Sequence, residues 1–176
     1  MKSLHFKRLE PNNTLDRKVM SLLSRMVSSD KDAILDDAHG EDVYVVFNKE
    51  VKNFSDLNDL DLFQDECLPV DLTLLSDEPL VFDDKIVGFF SVSLLDDCLG
   101  LYKIYVAENH REKGFGFEIM DYVFYLMDSY NYKELILKKE GSFGFWEKIK
   151  SGYKRKYNIK DDGDSICFMV KKTQDR

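Results

Sequence analysis

The sequence is poor in the residues that mark extended, cross-linked or membrane-spanning proteins. Three prolines and nine glycines in 176 residues are too few for a collagen-like, linker-rich or low-complexity chain, and no segment repeats at a fixed period. Three cysteines, Cys67, Cys98 and Cys167, are an odd number, widely spaced and without a C-x-x-C pair. Reduced thiols are therefore expected, not a disulfide framework or a zinc site. The three histidines, His5, His39 and His110, lie far apart and no motif gathers them, so no metal site is expected. The longest apolar run, Ile86 to Leu95, is ten residues and contains Gly88, Ser91 and Ser93, against the roughly 20 needed to cross a bilayer. The first residues, Met1-Lys2-Ser3-Leu4-His5-Phe6-Lys7-Arg8, turn charged too soon for a secretory signal or transit peptide. A cytoplasmic location and no membrane association are expected.

What is present fits one globular domain over residues 1–176: 44% hydrophobic, 13% aromatic and 33% charged residues suffice for one core at this length. The net charge of −8 is unevenly placed. Residues 30–98 hold 19 acidic and 4 basic residues, a balance of −15, which leaves +7 for the remainder. Nucleic-acid binding needs a dominant positive surface and is not expected; Lys154-Arg155-Lys156 is too small a cluster to reverse this. The acidic middle is either a solubility feature or an attractor for a cationic substrate.

Leu4 to Leu9 alternates as a strand, and Asn13 or Thr14 caps a helical run with apolar Leu15, Val19, Leu22, Leu23, Met26 and Val27. Residues 30–38 suggest a short helix, Val43 to Phe47 a strand, and the acidic segment 50–78 an irregular connection. Leu80-Val81-Phe82 and Ile86 to Leu94 flank Asp83-Asp84-Lys85 as a hairpin. A strand over Leu99 to Val106, a glycine-containing loop over His110 to Gly116, and a helix with Phe117, Met120, Phe124 and Met127 on one face follow. Glu134 to Lys138 predicts a strand, Ser142 to Lys150 a helix, and Tyr153 to Tyr157 with Ile166 to Val170 a closing strand pair. The order predicts an α+β fold: a mostly antiparallel sheet flanked by helices, with one β-α-β crossover.

The stretch with chemical content is Tyr105-Val106-Ala107-Glu108-Asn109-His110-Arg111-Glu112-Lys113-Gly114-Phe115-Gly116, running from strand through loop to helix. Such a junction directs several N–H groups and the positive end of a helix at one place, which suits a phosphate. Gly114 and Gly116 allow positive φ and remove Cβ atoms that would hold a phosphate off the backbone. A nucleotide-hydrolysing P-loop is excluded because no G-K-[ST] is present, and Ile119 stands where a dinucleotide fingerprint would have its third glycine. His110 reads as a surface histidine beside the loop, with a base or ligand role as the alternative.

At these residues the chain resembles the GNAT superfamily of acyl-CoA-dependent N-acyltransferases, whose pyrophosphate motif [R/Q]-x-x-G-x-[G/A] is matched by Arg111-Glu112-Lys113-Gly114-Phe115-Gly116. Lys85-Ile86-Val87-Gly88-Phe89 is similar to the family's third-strand opening, and Phe145-Trp146-Glu147-Lys148-Ile149 to its later "F-Y-E-K-L" helix. The resemblance is strongest over residues 79–157, while 41–78 reads as an acidic variable segment. It implies a GNAT-like sheet in which amides from Arg111 through Glu112, Lys113, Gly114 and Phe115 to Gly116 hold the pyrophosphate of acetyl-CoA, with Arg111 and Lys113 adding charge. The pantetheine would pair with the edge of Ile104, Tyr105 and Val106, an amide near Val106 would polarise the thioester, and an amine would attack directly. A small-molecule primary amine, a protein lysine or an N-terminus is the implied acceptor; oligomeric state is left open.

The sequence departs from that pattern at the proton-transfer groups. Trp146 stands where many members carry a tyrosine acid, which leaves Tyr153 or Ser142 as substitutes. Lys139 falls where an asparagine is common, and no acid lies at Gly100 to Tyr102. Glu108, Asp96 and Asp97 are the nearest carboxylates, with Glu108 the candidate base; the alternatives are an exposed loop for Glu108 and a turn for the aspartates. Of Tyr102 and Tyr105, one lines the acceptor groove or both are packed. These departures also admit a second reading, a GNAT-like domain without turnover that binds or builds an assembly, such as a viral one.

Overall fold

The structure, a computed structural model, describes residues 4–10, 12–13, 16–17, 19–20, 23, 41–47, 86–139 and 143–171. The readings of a helix at 30–38, an irregular segment at 50–78 and a strand at Leu80–Phe82 lie outside them. In chain order the elements are β1 (His5–Arg8), β2 (Asp42–Phe47), β3 (Ile86–Leu94), β4 (Leu99–Val106), a 3₁₀ turn (Glu108–His110), α1 (Phe115–Ser129), β5 (Glu134–Lys138), α2 (Phe143–Tyr153), β6 (Tyr157–Asp161) and β7 (Ser165–Val170). Seven strands form one sheet in the order β1-β2-β3-β4-β5-β7-β6. Every pairing is antiparallel except β4 with β5, which are parallel. The connection through α1 supplies the crossover that a parallel pair requires.

The sheet is buried on two faces, and β2 shows why its sequence reads as a continuous apolar run. Tyr44 and Val46 join one cluster with Phe90, Leu99, Leu135 and Phe168, while Val43, Val45 and Phe47 join a second with Leu9, Val19 and Leu23. The first cluster is the helix side. From α1, Ile119, Met120, Val123, Phe124 and Met127 enter it at helical spacing, and from α2, Trp146, Ile149 and Tyr153 do so at three- and four-residue steps. That spacing corrects the expected strand over Tyr153–Tyr157. Tyr153 packs against Phe124 at 4.6 Å as the last residue of α2, and β6 begins only at Tyr157.

On the opposite face, residues 16, 17, 19, 20 and 23 are helical, and Asn13 is the cap: its Oδ1 accepts the Asp16 N–H at 3.3 Å. Asp16 is 1% exposed. Its carboxylate accepts from the Glu10 N–H at 2.8 Å and from Lys7 Nζ at 3.0 Å, so the buried charge is hydrogen-bonded as well as paired.

Three glycine contacts set the packing distances. A Cβ on Gly88 of β3 would lie 2.0 Å from the Tyr105 carbonyl oxygen of β4. Between the helices, Phe145 of α2 lies over Gly116 of α1, where a Cβ would be 2.6 Å from its ring, and Phe117 lies over Gly152, where a Cβ would be 2.9 Å away. Gly116 was expected to open the loop to a phosphate, but the side its missing side chain vacates is filled by the Phe145 ring. Cys98 and Cys167 are free thiols, and burial first, then Glu134, raises both above the ordinary thiol range.

Because backbone, not a movable side chain, fills the space at Gly88, Gly88→Ala is expected to cost about 3 kcal/mol in urea unfolding. Gly144→Ala, on the exposed start of α2 with nothing within 4 Å, should instead stabilise by about 0.5–1 kcal/mol.

Candidate functional site

Two features meet at the C-terminal end of β4. The first is a parting of strands. β4 and β5 pair at only three positions, ending at Leu101↔Leu137, whereas β4 stays with β3 as far as Val106↔Gly88. Ala107 donates its N–H to the Val87 carbonyl at 2.9 Å. Backbone groups alternate sides along a strand, so Tyr105 and Lys103 also face β3, while the N–H and C=O of Ile104 and Val106 point to the side that β5 has left. The Ile104 and Val106 N–H groups thus have no strand partner among the described residues. Ile104 and Val106 pack their side chains against the helix-side core, and Tyr105 packs against the opposite cluster.

The second feature is the loop into α1. Glu112 has φ of 62° and Gly114 of 87°, both left-handed, an arrangement that turns successive N–H groups inward as an anion nest. Gly114 is the N-cap, and having no side chain it contributes no capping bond. Its carbonyl accepts from Phe117 at 3.0 Å and Glu118 at 3.4 Å. No backbone carbonyl among the described residues accepts from the N–H of Glu112, Lys113, Gly114 or Gly116. Nothing lies within 4 Å of the Cβ position at Gly114, so this is the glycine that leaves room in front of the helix N-terminus. Phe115 is buried and anchors the first turn in the core.

The two cations of the loop are turned onto its own main chain. Arg111 Nε donates to the Val106 carbonyl at 3.0 Å, and its guanidinium lies 5.6 Å from the Tyr105 ring and 3.7 Å from Glu108 Oε1. Lys113 Nζ donates to the Asn109 carbonyl at 2.6 Å. The loop is therefore fixed before any ligand arrives, with positive charge beside it. An anion at an exposed helix N-terminus is stabilised by about 0.3–1 kcal/mol through the helix dipole.

The remaining sequence candidates divide. Glu108 is open, its side chain 83% exposed, beside Arg111. Tyr153, expected as an acid, is 5% exposed, and its hydroxyl donates to Asp121 at 2.7 Å. Phe117, Phe124 and Tyr157 surround its ring. Burial first, then the bond to Asp121, holds that phenol far above its ordinary value. Tyr153 thus packs between α1 and α2. Trp146 is buried likewise. His110, expected at the surface, is 6% exposed, its ring edge-on to Phe115 at 5.8 Å. Lys139 is tied to β6 by its ammonium, 2.6 Å from Asp161, and to the following turn by its N–H, 2.8 Å from the Asp164 carbonyl. Ser142 lies outside the described residues. Composition could not have shown the strand parting, which depends on register, or the cation-to-carbonyl bonds, which depend on how the loop folds back on itself.

Residues 40–151 match the Acetyltransferase (GNAT) family, so the match begins earlier than the 79–157 that the motifs supported. No curated protein matches the chain. Among solved structures, Tetrahymena GCN5 is similar with a TM-score of 0.57 at 12% identity, over 98% of this chain and 99% of that one. A GNAT-family acetyltransferase from Staphylococcus aureus Mu50 gives 0.55 at 12% identity, over 96% and 100%. One from Elizabethkingia anophelis with acetyl-CoA bound gives 0.54 at 13% identity, over 96% and 97%. These likenesses show the fold.

The helix packing around Tyr153 carries a pH signature. Tyr153 is raised, and Tyr157 is pushed up to about 12 by burial first and then by Asp128 and Asp121. An unfolded tyrosine titrates near pH 10, so between about 10 and 12 the folded chain holds more protons than the unfolded one, and stability falls as pH rises. Melting temperature should decline gently as pH rises through the ordinary thiol range, because Cys98 and Cys167 are also raised, and drop more steeply above about pH 10, with Tyr157→Phe showing a shallower drop there than the parent; equal slopes would contradict the assignment.

Proposed function

The chain belongs to the GNAT acetyltransferase family, and from that premise we propose that it moves an acetyl or other short acyl group from CoA to a primary amine, on a small molecule, a protein lysine or an N-terminus. One observation carries this reading: the β4 edge at Ile104–Val106, whose outer N–H groups have no strand partner among the described residues, ends directly in a loop with left-handed backbone at Glu112 and Gly114 that leads into the start of α1. A thioester tethered to a diphosphate by an amide-containing arm needs both, a strand edge for the amides and a nest for the phosphates. Solved relatives holding acetyl-CoA and coenzyme A support it.

In this reading the N–H groups from Arg111 to Gly116 hold the pyrophosphate, Arg111 and Lys113 supply charge from where their carbonyl bonds hold them, and the β4 edge pairs with the pantetheine. Two outward N–H groups, those of Ile104 and Val106, are available; one pairs with the arm and the other donates to the thioester oxygen, where negative charge develops as the amine attacks. The amine gives up its proton to water, with the open Glu108 carboxylate as the relay we assign. The new C–N bond forms as the C–S bond breaks. A thiol with a pKa near 8.5 departs as thiolate with little help, so Tyr153 need not supply a proton. Nothing in the fold or its relatives favours a domain without turnover.

Calorimetric titration of acetyl-CoA tests the reading: micromolar binding is expected in the parent and none in Gly114→Glu, which puts a carboxylate into the nest. A well-folded parent that binds no acetyl-CoA would overturn it. With an amine acceptor in hand, Tyr153→Phe should keep kcat within about threefold, whereas loss of a general acid would lower it by about 10²-fold or more.

A further inference from the structure

Resting on the acyl-transfer reading above, we propose that Tyr102 selects the acceptor, and that the acceptor is a primary amine carried on a hydrocarbon or aromatic group. Tyr102 occupies a singular place in the sheet. Across β3 the register runs from Ser91↔Lys103 to Val92↔Leu101, so Tyr102 is the extra residue of a β-bulge; across β5 it is the first residue beyond the last pair, Leu101↔Leu137. A bulge re-aims the side chain it carries, and this one sits at the apex of the parting strands.

The direction of that side chain follows from its neighbours. Leu99 and Leu101 are buried in the helix-side core, so a side chain at Gly100 would point to the other face of the sheet. There it would meet Tyr102 Cε2 at 3.1 Å and Leu95 Cδ1 at 3.5 Å. Gly100 pairs with Ile136, which lies between buried Leu135 and Leu137 and so shares that opposite face. Tyr102, Leu95 and Ile136 are 49%, 39% and 38% exposed. An open apolar shelf therefore lies at the apex, on the face away from α1.

The two faces divide the two substrates. The anion nest opens at the N-terminus of α1, which packs on the helix side, so the acyl donor reaches the apex from there. The acceptor comes from the other side, across Tyr102, Leu95 and Ile136. These side chains offer apolar area and one aromatic face, which suit the carbon skeleton of an amphipathic amine and offer a polyamine chain little. Tyr105, by contrast, is packed against Phe89 at 5.6 Å and under Arg111, which leaves Tyr102 as the tyrosine of this strand that an acceptor meets.

The test uses bisubstrate conjugates in which the CoA sulfur is linked through an acetyl bridge to phenethylamine or to spermidine, titrated into the whole chain beside CoA itself. The phenethylamine conjugate should bind at least about tenfold more tightly than CoA, and the spermidine conjugate within about threefold of it. Tyr102→Ala should abolish the gain and leave CoA affinity unchanged, and Tyr102→Phe should retain it. A phenethylamine conjugate no tighter than CoA, a gain that survives Tyr102→Ala, or a preference for the spermidine conjugate overturns the proposal while CoA binding leaves the acyl-transfer reading intact. If CoA binds neither the parent nor the variants, the premise fails and the proposal with it.

Discussion

The separation of β4 from β5 after the Leu101–Leu137 pair is the constraint on which the rest of the molecule depends. A parallel pair that continued would have satisfied the outward backbone groups of Ile104 and Val106 and sealed the sheet. Instead β5 runs on against β7 as far as Lys138↔Ser165, and β4 runs on against β3 as far as Val106↔Gly88. Each strand keeps one neighbour, so the parting is held open from both sides. Backbone donors that lack a partner and are cut off from water cost about 1–3 kcal/mol apiece, and those of Ile104 and Val106 have no strand partner among the described residues; a ligand that supplies acceptors there recovers that free energy. In the proposed function this edge is where the acyl donor pairs, because β5 has left it open.

The loop that follows is stiff for reasons that are visible side chain by side chain. Arg111 reaches back to the last carbonyl of β4, Lys113 to the carbonyl of Asn109, and Phe115 goes into the core. Left-handed backbone at Glu112 and Gly114 is tolerated because these contacts fix it on either side. Behind the loop, α1 and α2 interlock through Phe145 on Gly116 and Phe117 on Gly152, and Tyr153 ties the second helix to Asp121 of the first. Preorganisation of this kind lowers the ordering cost that a flexible loop would impose on binding.

Much of this was legible in the sequence where a local rule sufficed. The amphipathic spacing of α1, the strand over Val43 to Phe47 and the strand-loop-helix with its positive-φ glycine all follow from periodicity, β propensity and the steric freedom of Gly114. Boundaries failed where helical packing outweighed strand propensity, as at Tyr153, whose four-residue spacing from Ile149 keeps it in α2. Contacts escape the sequence where the partner is distant: Gly116 answers to Phe145, Gly88 to Tyr105, and Tyr153 to Asp121. Register, which decides that Tyr102 is bulged and that Ile104 and Val106 face outward, is a property of strand pairs and no single segment contains it.

The most direct measurement is amide hydrogen exchange of the whole chain with and without coenzyme A. The account predicts slowed exchange at the outward N–H groups of Ile104 and Val106 and across Glu112 to Gly116, with the β6–β7 amides unchanged. Protection absent from the β4 edge while CoA is bound elsewhere would contradict the claim that the parted strands and the nest form one site.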